Sequence, residues 1–298
     1  WADGYCRSVF RLVENLKGPV KGIVGPWAHR YPHLGEPGPA IDWLTEETRW
    51  WDHWLKGRDT GIMDEPPLRL YLQDHAAPRT HYAHRDGRWI TEPTGATSHL
   101  PTKTLHMTDE GLQDTAAPLD RSVASPAHCG ADGGEYCAIW LGPEMPGDQR
   151  QDDALSVCFD SGPLAQQMDI LGAPRLRLRL ACDKPQGQIA VRLNHIHPDG
   201  ASARITYGVL NLSHRDSAEH PQAMAPGTMT DITLDLDHIA YRIPKGHRLR
   251  VSISTAYWPL LWPAPEAAEV TLSSGQIDLP QRPTSGGDEY SFAPPTSA

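Results

Sequence analysis

The spacing of apolar residues changes character near Pro66, and no single fold class spans both patterns. Before that point Val9, Phe10, Leu12, Val13 and Leu16 recur at helical intervals and are followed by Lys17-Gly18-Pro19, which predicts a helix over residues 5–16 with a basic last turn and a glycine-proline stop. Val20 to Gly25 is a short apolar run of the kind buried in a parallel strand. A Gly- and Pro-rich loop follows from Pro26 to Ala40. Asp42 then stands as N-cap of a second helix carrying Trp43, Leu44, Trp50, Trp51, Trp54 and Leu55 on one stripe before Gly57. This stretch is α/β in character.

After Pro66 the period drops to two. The runs 68–72, 176–180, 189–193, 230–236 and 249–253 alternate apolar with polar side chains, the mark of strands buried on one face only. Pro198-Asp199-Gly200 and Pro244-Lys245-Gly246 supply turns between such runs. The expected fold class is therefore α/β followed by all-β, with an antiparallel β-sandwich as the larger part. Divisions are expected at 1–63, 66–285 and a poorly ordered tail over 286–298. Residues 93–151, rich in Gly, Pro and Asp with little periodicity, are expected as long loops wrapping the sandwich.

Charge and composition remove several functions. A net charge of −10 with no basic cluster argues against nucleic acid as a partner. No run reaches the roughly 18 apolar residues of a membrane span. Cys6, Cys129, Cys137, Cys158 and Cys182 are too scattered for a disulfide scaffold and fit small buried hydrophobes in a reducing compartment, so a cytoplasmic location is favoured, with a local Cys129–Cys137 loop as the alternative. There is no C-x-x-C or H-E-x-x-H. His195 and His197 would share a strand face if the strand ran through them, but Pro198-Asp199-Gly200 follows at once, so they are expected at a turn and not as ligands. No cofactor and no metal is expected, and a homo-oligomer is left open. The start at Trp1 without a methionine suggests a fragment.

Asp3, just before the first helix, and His29, just after the apolar run, carry the most chemistry. If the helix is a crossover between parallel strands about 4.8 Å apart, both emerge at one sheet edge, where α/β sheets gather their reacting groups. A carboxylate fixes the tautomer of an imidazole and stabilises its protonated form, as the general base of a nucleophilic serine requires. The order Asp then His matches the Ser…Asp…His order of α/β-hydrolases. On spacing alone, a surface Asp and a loop His that never meet is the competing reading.

Gly25-Pro26-Trp27-Ala28-His29, Arg49-Trp50-Trp51-Asp52-His53-Trp54-Leu55-Lys56-Gly57 and Glu65-Pro66-Pro67-Leu68-Arg69 resemble the cocaine-esterase-like (CocE/NonD) hydrolases, relatives of X-Pro dipeptidyl peptidases and α-amino-acid ester hydrolases. Asp148-Gln149-Arg150-Gln151-Asp152-Asp153, Leu171-Gly172-Ala173-Pro174, Pro198-Asp199-Gly200 and Ser254-Thr255-Ala256-Tyr257-Trp258-Pro259 resemble that family's C-terminal domain. The resemblance spans about residues 1 to 273. It implies that 1–63 is the C-terminal end of an α/β-hydrolase domain and that a jelly-roll-like sandwich follows, with Asp3 as triad acid and His29 as triad base. A small ester, amide or peptide would be the substrate.

The family's nucleophile lies in a G-x-S-x-G elbow that this sequence does not contain. Ser202, in Gly200-Ala201-Ser202-Ala203-Arg204, comes nearest and lacks the second glycine. The chain is thus expected to carry acid and base without nucleophile or oxyanion donors, and to be inactive alone. A non-catalytic sandwich for carbohydrate binding or subunit assembly is the alternative. The tryptophans of the second helix are expected to pack between domains. Asp148, Asp152 and Asp153 are expected to be solvated or capping rather than calcium ligands, and Trp258 and Trp262 could close the sandwich near the active site.

Overall fold

Helix α1 (Cys6–Asn15) buries Cys6, Phe10 and Val13 and packs on strand β1 (Gly22–Val24); of the expected apolar repeat Phe10 and Val13 face inward, while Leu12 and Leu16 are exposed. Helix α2 (Trp43–Lys56) begins where Asp42 caps it: the carboxylate accepts from the Thr45 hydroxyl at 2.7 Å and from its backbone N–H at 3.4 Å. It ends at Gly57, whose φ of 65° is the left-handed conformation that a side chain resists. These elements belong to a computed structural model that describes residues 1–95, 97–139, 142, 144–283 and 289–296.

Sixteen strands, three α-helices and two short 3-10 helices follow one another along the described chain. After β1 come β2 (Leu68–Gln73), β3 (Gly87–Glu92), β4 (Thr102–Thr108), β5 (Gly111–Gln113) and β6 (Arg121–Val123). A short helix α3 (Arg150–Ala154) precedes β7 (Val157–Asp160), β8 (Met168–Gly172), β9 (Arg175–Cys182), β10 (Gln188–Ile196) and β11 (Ser202–Asn211). The chain continues through β12 (Thr230–Asp235), β13 (Ile239–Ile243), β14 (Arg248–Ser254), β15 (Val270–Pro280) and β16 (Glu289–Tyr290). All five alternating runs are strands.

One sheet runs β12-β9-β15-β4-β5, with β6 also on β15, and a second runs β11-β10-β14-β7. Both are antiparallel. Leu176, Leu178 and Leu180 from the first and Ile189, Val191, Leu193, Leu249, Val251 and Ile253 from the second share one core, so the two sheets form a sandwich. The third sheet is mixed, ordered β16-β3-β2-β13-β8, and β1 joins it by pairing parallel with β2. Residues 1–63 therefore give two helices and one three-residue strand that extends this sheet. Among the described residues they make no parallel sheet of their own.

Several expectations change. Segment 93–151 is not loop throughout, because β4 pairs with β15 from Thr102 to Met107. Strands β2 and β10 are buried on both faces, not one: the second face of β10 meets Asp152 and Asp153, which are buried rather than solvated. Of the expected tail, 286–288 and 297–298 lie outside the described residues. The part between is docked, with β16 on β3 and Phe292 edge-on to Trp89 at 4.6 Å. The fully buried Arg69 ties that docking to α2, donating to Glu46 at 2.9 Å and to the Tyr290 hydroxyl at 2.9 Å. Trp43 packs on the cluster of Trp27, Ile41, Tyr71 and Trp89, but Trp51 and Trp54 remain 49% and 45% exposed. The tryptophan stripe is only partly covered within this chain.

Candidate functional site

Asp3 and His29 are brought together by backbone pairing of the segments that carry them. The Trp1 amine donates to Gly25 O at 2.7 Å and Ala2 N–H to Trp27 O at 3.1 Å, so the first residues run beside the loop that follows β1. The side chains then meet, with His29 Nδ1 2.8 Å from Asp3 Oδ2. An ionised carboxylate can only accept, which puts the proton on Nδ1 and leaves Nε2, on the far side of the ring, with its lone pair. The other carboxylate oxygen accepts from Tyr5 N–H at 2.9 Å, which holds Asp3 at the start of α1. His29 N–H donates to Ala138 O at 2.7 Å, and Ala28 N–H to Glu36 O at 2.8 Å. The Tyr5 ring lies 5.6 Å from the imidazole. The imidazole is half exposed, so a reacting group has access to Nε2.

Cys137 was not expected here. Its thiol lies 3.9 Å from Asp3 Oδ1, within a segment whose sequence has no periodicity to place it. Burial, first, and the Asp3 charge raise its pKa, so it is a neutral thiol and not an activated thiolate. All five cysteines are free, and no Cys129–Cys137 loop forms. Ser202 is excluded as a nucleophile in this arrangement, since its hydroxyl is buried and donates to Asp153 Oδ2 at 2.7 Å. A cavity of about 110 Å³ lies behind the pair, lined by Asp3, Tyr82, Arg85, Arg204, Asp237 and Tyr241 among others. Asp3 reaches it but His29 does not, so it sits behind the acid and not where a substrate would meet the base.

Two other polar groupings escaped sequence reasoning. Asp153 accepts from Ser252 (2.7 Å), Asn194 (3.0 Å), Arg250 (3.0 Å) and Arg192 (3.2 Å) as well as Ser202, which satisfies a buried carboxylate completely. This network is structural. The second is a histidine cluster at the C-terminal end of β10, built on His195, the residue next to Asn194 of the network. His195 and His197 do share one face, with rings stacked at 4.2 Å, because the strand runs to Ile196 before the turn. His247 joins them, its Nδ1 2.7 Å from His195 Nε2. Burial and the neighbouring imidazoles push the pKa of His195 down to about 3. Spacing could not reveal this group, since His247 lies 52 residues from His195 in sequence.

A sequence profile of the X-Pro dipeptidyl-peptidase C-terminal non-catalytic domain matches residues 60–290. The cocaine esterase of Rhodococcus sp. (strain MB1 Bresler) is 21% identical over 276 residues, covering 87% of this chain and 48% of its own length. The Xaa-Pro dipeptidyl-peptidase of Lactobacillus delbrueckii subsp. lactis is 22% identical over 286 residues, covering 83% of this chain and 35% of its own. The solved structure of an α-amino acid ester hydrolase superposes with a TM-score of 0.66 at 16% identity, over 87% of this chain and 50% of that one. The chain thus spans half or less of these hydrolases. No described helix is long and apolar enough to cross a membrane. With the profile matching more than three quarters of its residues, the chain belongs to the family of the X-Pro dipeptidyl-peptidase C-terminal domain, as found in cocaine-esterase-like hydrolases.

Proposed function

We propose that this chain is the C-terminal part of a serine hydrolase that transfers acyl groups from an ester or amide, with Asp3 as acid and His29 as base. The contact between Asp3 and His29 at 2.8 Å, beside an accessible Nε2, carries this reading. The serine and its oxyanion donors would come from a segment outside residues 1–298. In the reaction, His29 Nε2 takes the serine proton as the hydroxyl attacks the carbonyl carbon, then returns it to the leaving group, while Asp3 holds Nδ1–H and stabilises the imidazolium. Residues 1–63 are then the end of the hydrolase domain and 66–285 the sandwich. The exposed Trp51 and Trp54 of α2 support this division, because an apolar helix face only partly covered in this chain suits packing against the preceding part of that domain.

A fluorophosphonate probe tests the proposal. The longer protein should be labelled on a serine outside residues 1–298, and His29→Ala there should lower kcat at least about a thousandfold. The chain 1–298 alone should neither label nor turn over substrate. Stoichiometric labelling of a serine within it would overturn the assignment.

A second reading, a non-catalytic module that binds carbohydrate, rests on Trp258 and Trp262, whose rings meet edge-on at 5.4 Å and are 41% and 78% exposed. Exposed aromatic faces suit sugar rings. A glycan array with the chain separates the two readings, since binding to a defined sugar that is lost in Trp262→Ala would favour the second.

A further inference from the structure

We propose that His195, His197 and His247 form a three-imidazole site for a divalent zinc ion at the end of β10. One nitrogen from each of the three lies within 4.8 Å of the other two, so side-chain shifts of roughly an ångström bring them to the spacing of about 3.4 Å that donors bound to one tetrahedral ion at about 2.0–2.1 Å adopt. Two further features mark a ligand site and not a chance meeting of rings. His197 Nε2 is buried with no hydrogen-bond partner, and a buried imidazole nitrogen left without one is costly unless something else occupies it. His195 also has an outer partner that orients it, since its Nδ1 lies 3.1 Å from the Tyr241 hydroxyl. With Nδ1–H donated there, Nε2 turns its lone pair to the cluster, the arrangement in which metal-binding histidines are held.

The backbone around the three is fixed. His197 N–H donates to Ala201 O at 2.9 Å and its carbonyl accepts from Gly200 N–H at 2.9 Å, closing the Pro198–Gly200 turn. The His247 carbonyl accepts from Leu164 N–H at 2.8 Å, and Gly246 N–H donates to Leu164 O at 2.9 Å. His195 and His247 now stand 2.7 Å apart as a hydrogen-bonded pair. Moving them apart by roughly half an ångström gives the spacing of two nitrogens on one zinc ion, and shifting the His247 proton to Nε2 frees its Nδ1 with no net proton change.

The site opens to solvent on the side of His75, an exposed residue whose ring lies 5.3 Å from that of His247 and 6.0 Å from those of His195 and His197. The charge of Asp199 also acts on His197 and His247, which favours a cation. Imidazole donors select borderline ions such as Zn²⁺ over Mg²⁺ or Ca²⁺. Bound there, zinc would pin the turn after β10 to the turn before β14.

The test uses the purified chain, stripped with a chelator and titrated with zinc against a chromogenic competitor. One zinc per chain is expected, and affinity should fall at least about a hundredfold in His247→Gln and about tenfold in Tyr241→Phe. His220→Ala, which changes a solvent-exposed histidine, and His29→Ala should leave it unchanged. Cobalt provides a readout free of any variant: the unmodified chain should show visible bands of nitrogen coordination without a thiolate charge-transfer band. Failure to bind zinc, or full affinity in His247→Gln, would overturn the proposal. So would a thiolate band, or loss of binding in His29→Ala, since Asp3, His29 and Cys137 form the other three-residue grouping of ligand atoms among the described residues.

Discussion

Strand β9 and helix α2 are both amphipathic in sequence, yet folding treats them differently. In β9 the apolar set Leu176, Leu178 and Leu180 is buried, and Arg175, Arg177 and Arg179 point outward. Each arginine is paired with an aspartate of a neighbouring strand: Asp235, Asp278 and Asp231 respectively. In α2 no residue is buried, and Leu55 at the end of its apolar stripe is 74% exposed. Periodicity reveals which side of an element is apolar. It does not reveal what covers that side, because the cover comes from residues remote in sequence.

The comparison breaks most sharply at β10, whose polar face is as buried as its apolar one. Arg192 is fully buried against Asp153 and over the Tyr257 ring. Asp153→Ala removes one charge and leaves Arg192 in place, and breaking a buried pair in this way typically costs about 3–5 kcal/mol. Urea unfolding should show a loss of that size with an unchanged m-value. A loss under about 1 kcal/mol would mean that the network is solvated, and that β10 is an ordinary one-faced strand after all.

The network also marks where the sequence stops being legible. Asp3 and His29 could be singled out in advance because they flank one local helix-strand unit, just before α1 and just after β1, and because the family resemblance pairs them, whereas spacing alone leaves the two apart or together. Asp152 and Asp153 could not, since acidic residues in a five-residue helix look like any solvated turn until β10 is laid across them. The same holds for His247, whose partners arrive from another strand. β4 was hidden for a different reason: in Thr102–Thr108 only Leu105 and Met107 are apolar, and two residues do not establish an alternation.

His238 sharpens the comparison between the two regions, because it lies where they meet. Its ring stacks on Phe10 of α1 at 4.3 Å. Burial, assisted by the charge of Arg7 and opposed by that of Asp235, pushes its pKa from 6.5 down to about 4. The unfolded chain therefore binds a proton near pH 6.5 that the folded chain refuses until about pH 4. Stability is full above pH 6.5 and falls as pH drops toward 4, with roughly 1–2 kcal/mol lost by pH 5 from this group. Urea midpoints measured with chelator present should show that loss, and His238→Phe should reduce it. An identical slope in the variant would show that His238 already meets solvent, and that α1 is attached loosely.

The smallest expected effect falls on α2. Leu55, at the end of the apolar stripe, is 74% exposed in this chain, so little of it is withdrawn from water by folding. Replacing a surface residue away from special features usually changes stability by no more than about 0.5 kcal/mol. Leu55→Ala should therefore leave the urea midpoint of residues 1–298 almost unchanged, in contrast to Asp153→Ala. If the proposed hydrolase domain covers α2, the same substitution in the longer protein removes a buried aliphatic side chain and should cost about 2 kcal/mol or more. A pair of melting curves, one for each length of chain, measures the difference directly. Equal and small losses in both would show that the apolar face is open in the whole protein, and would remove the helix as support for the proposed domain division.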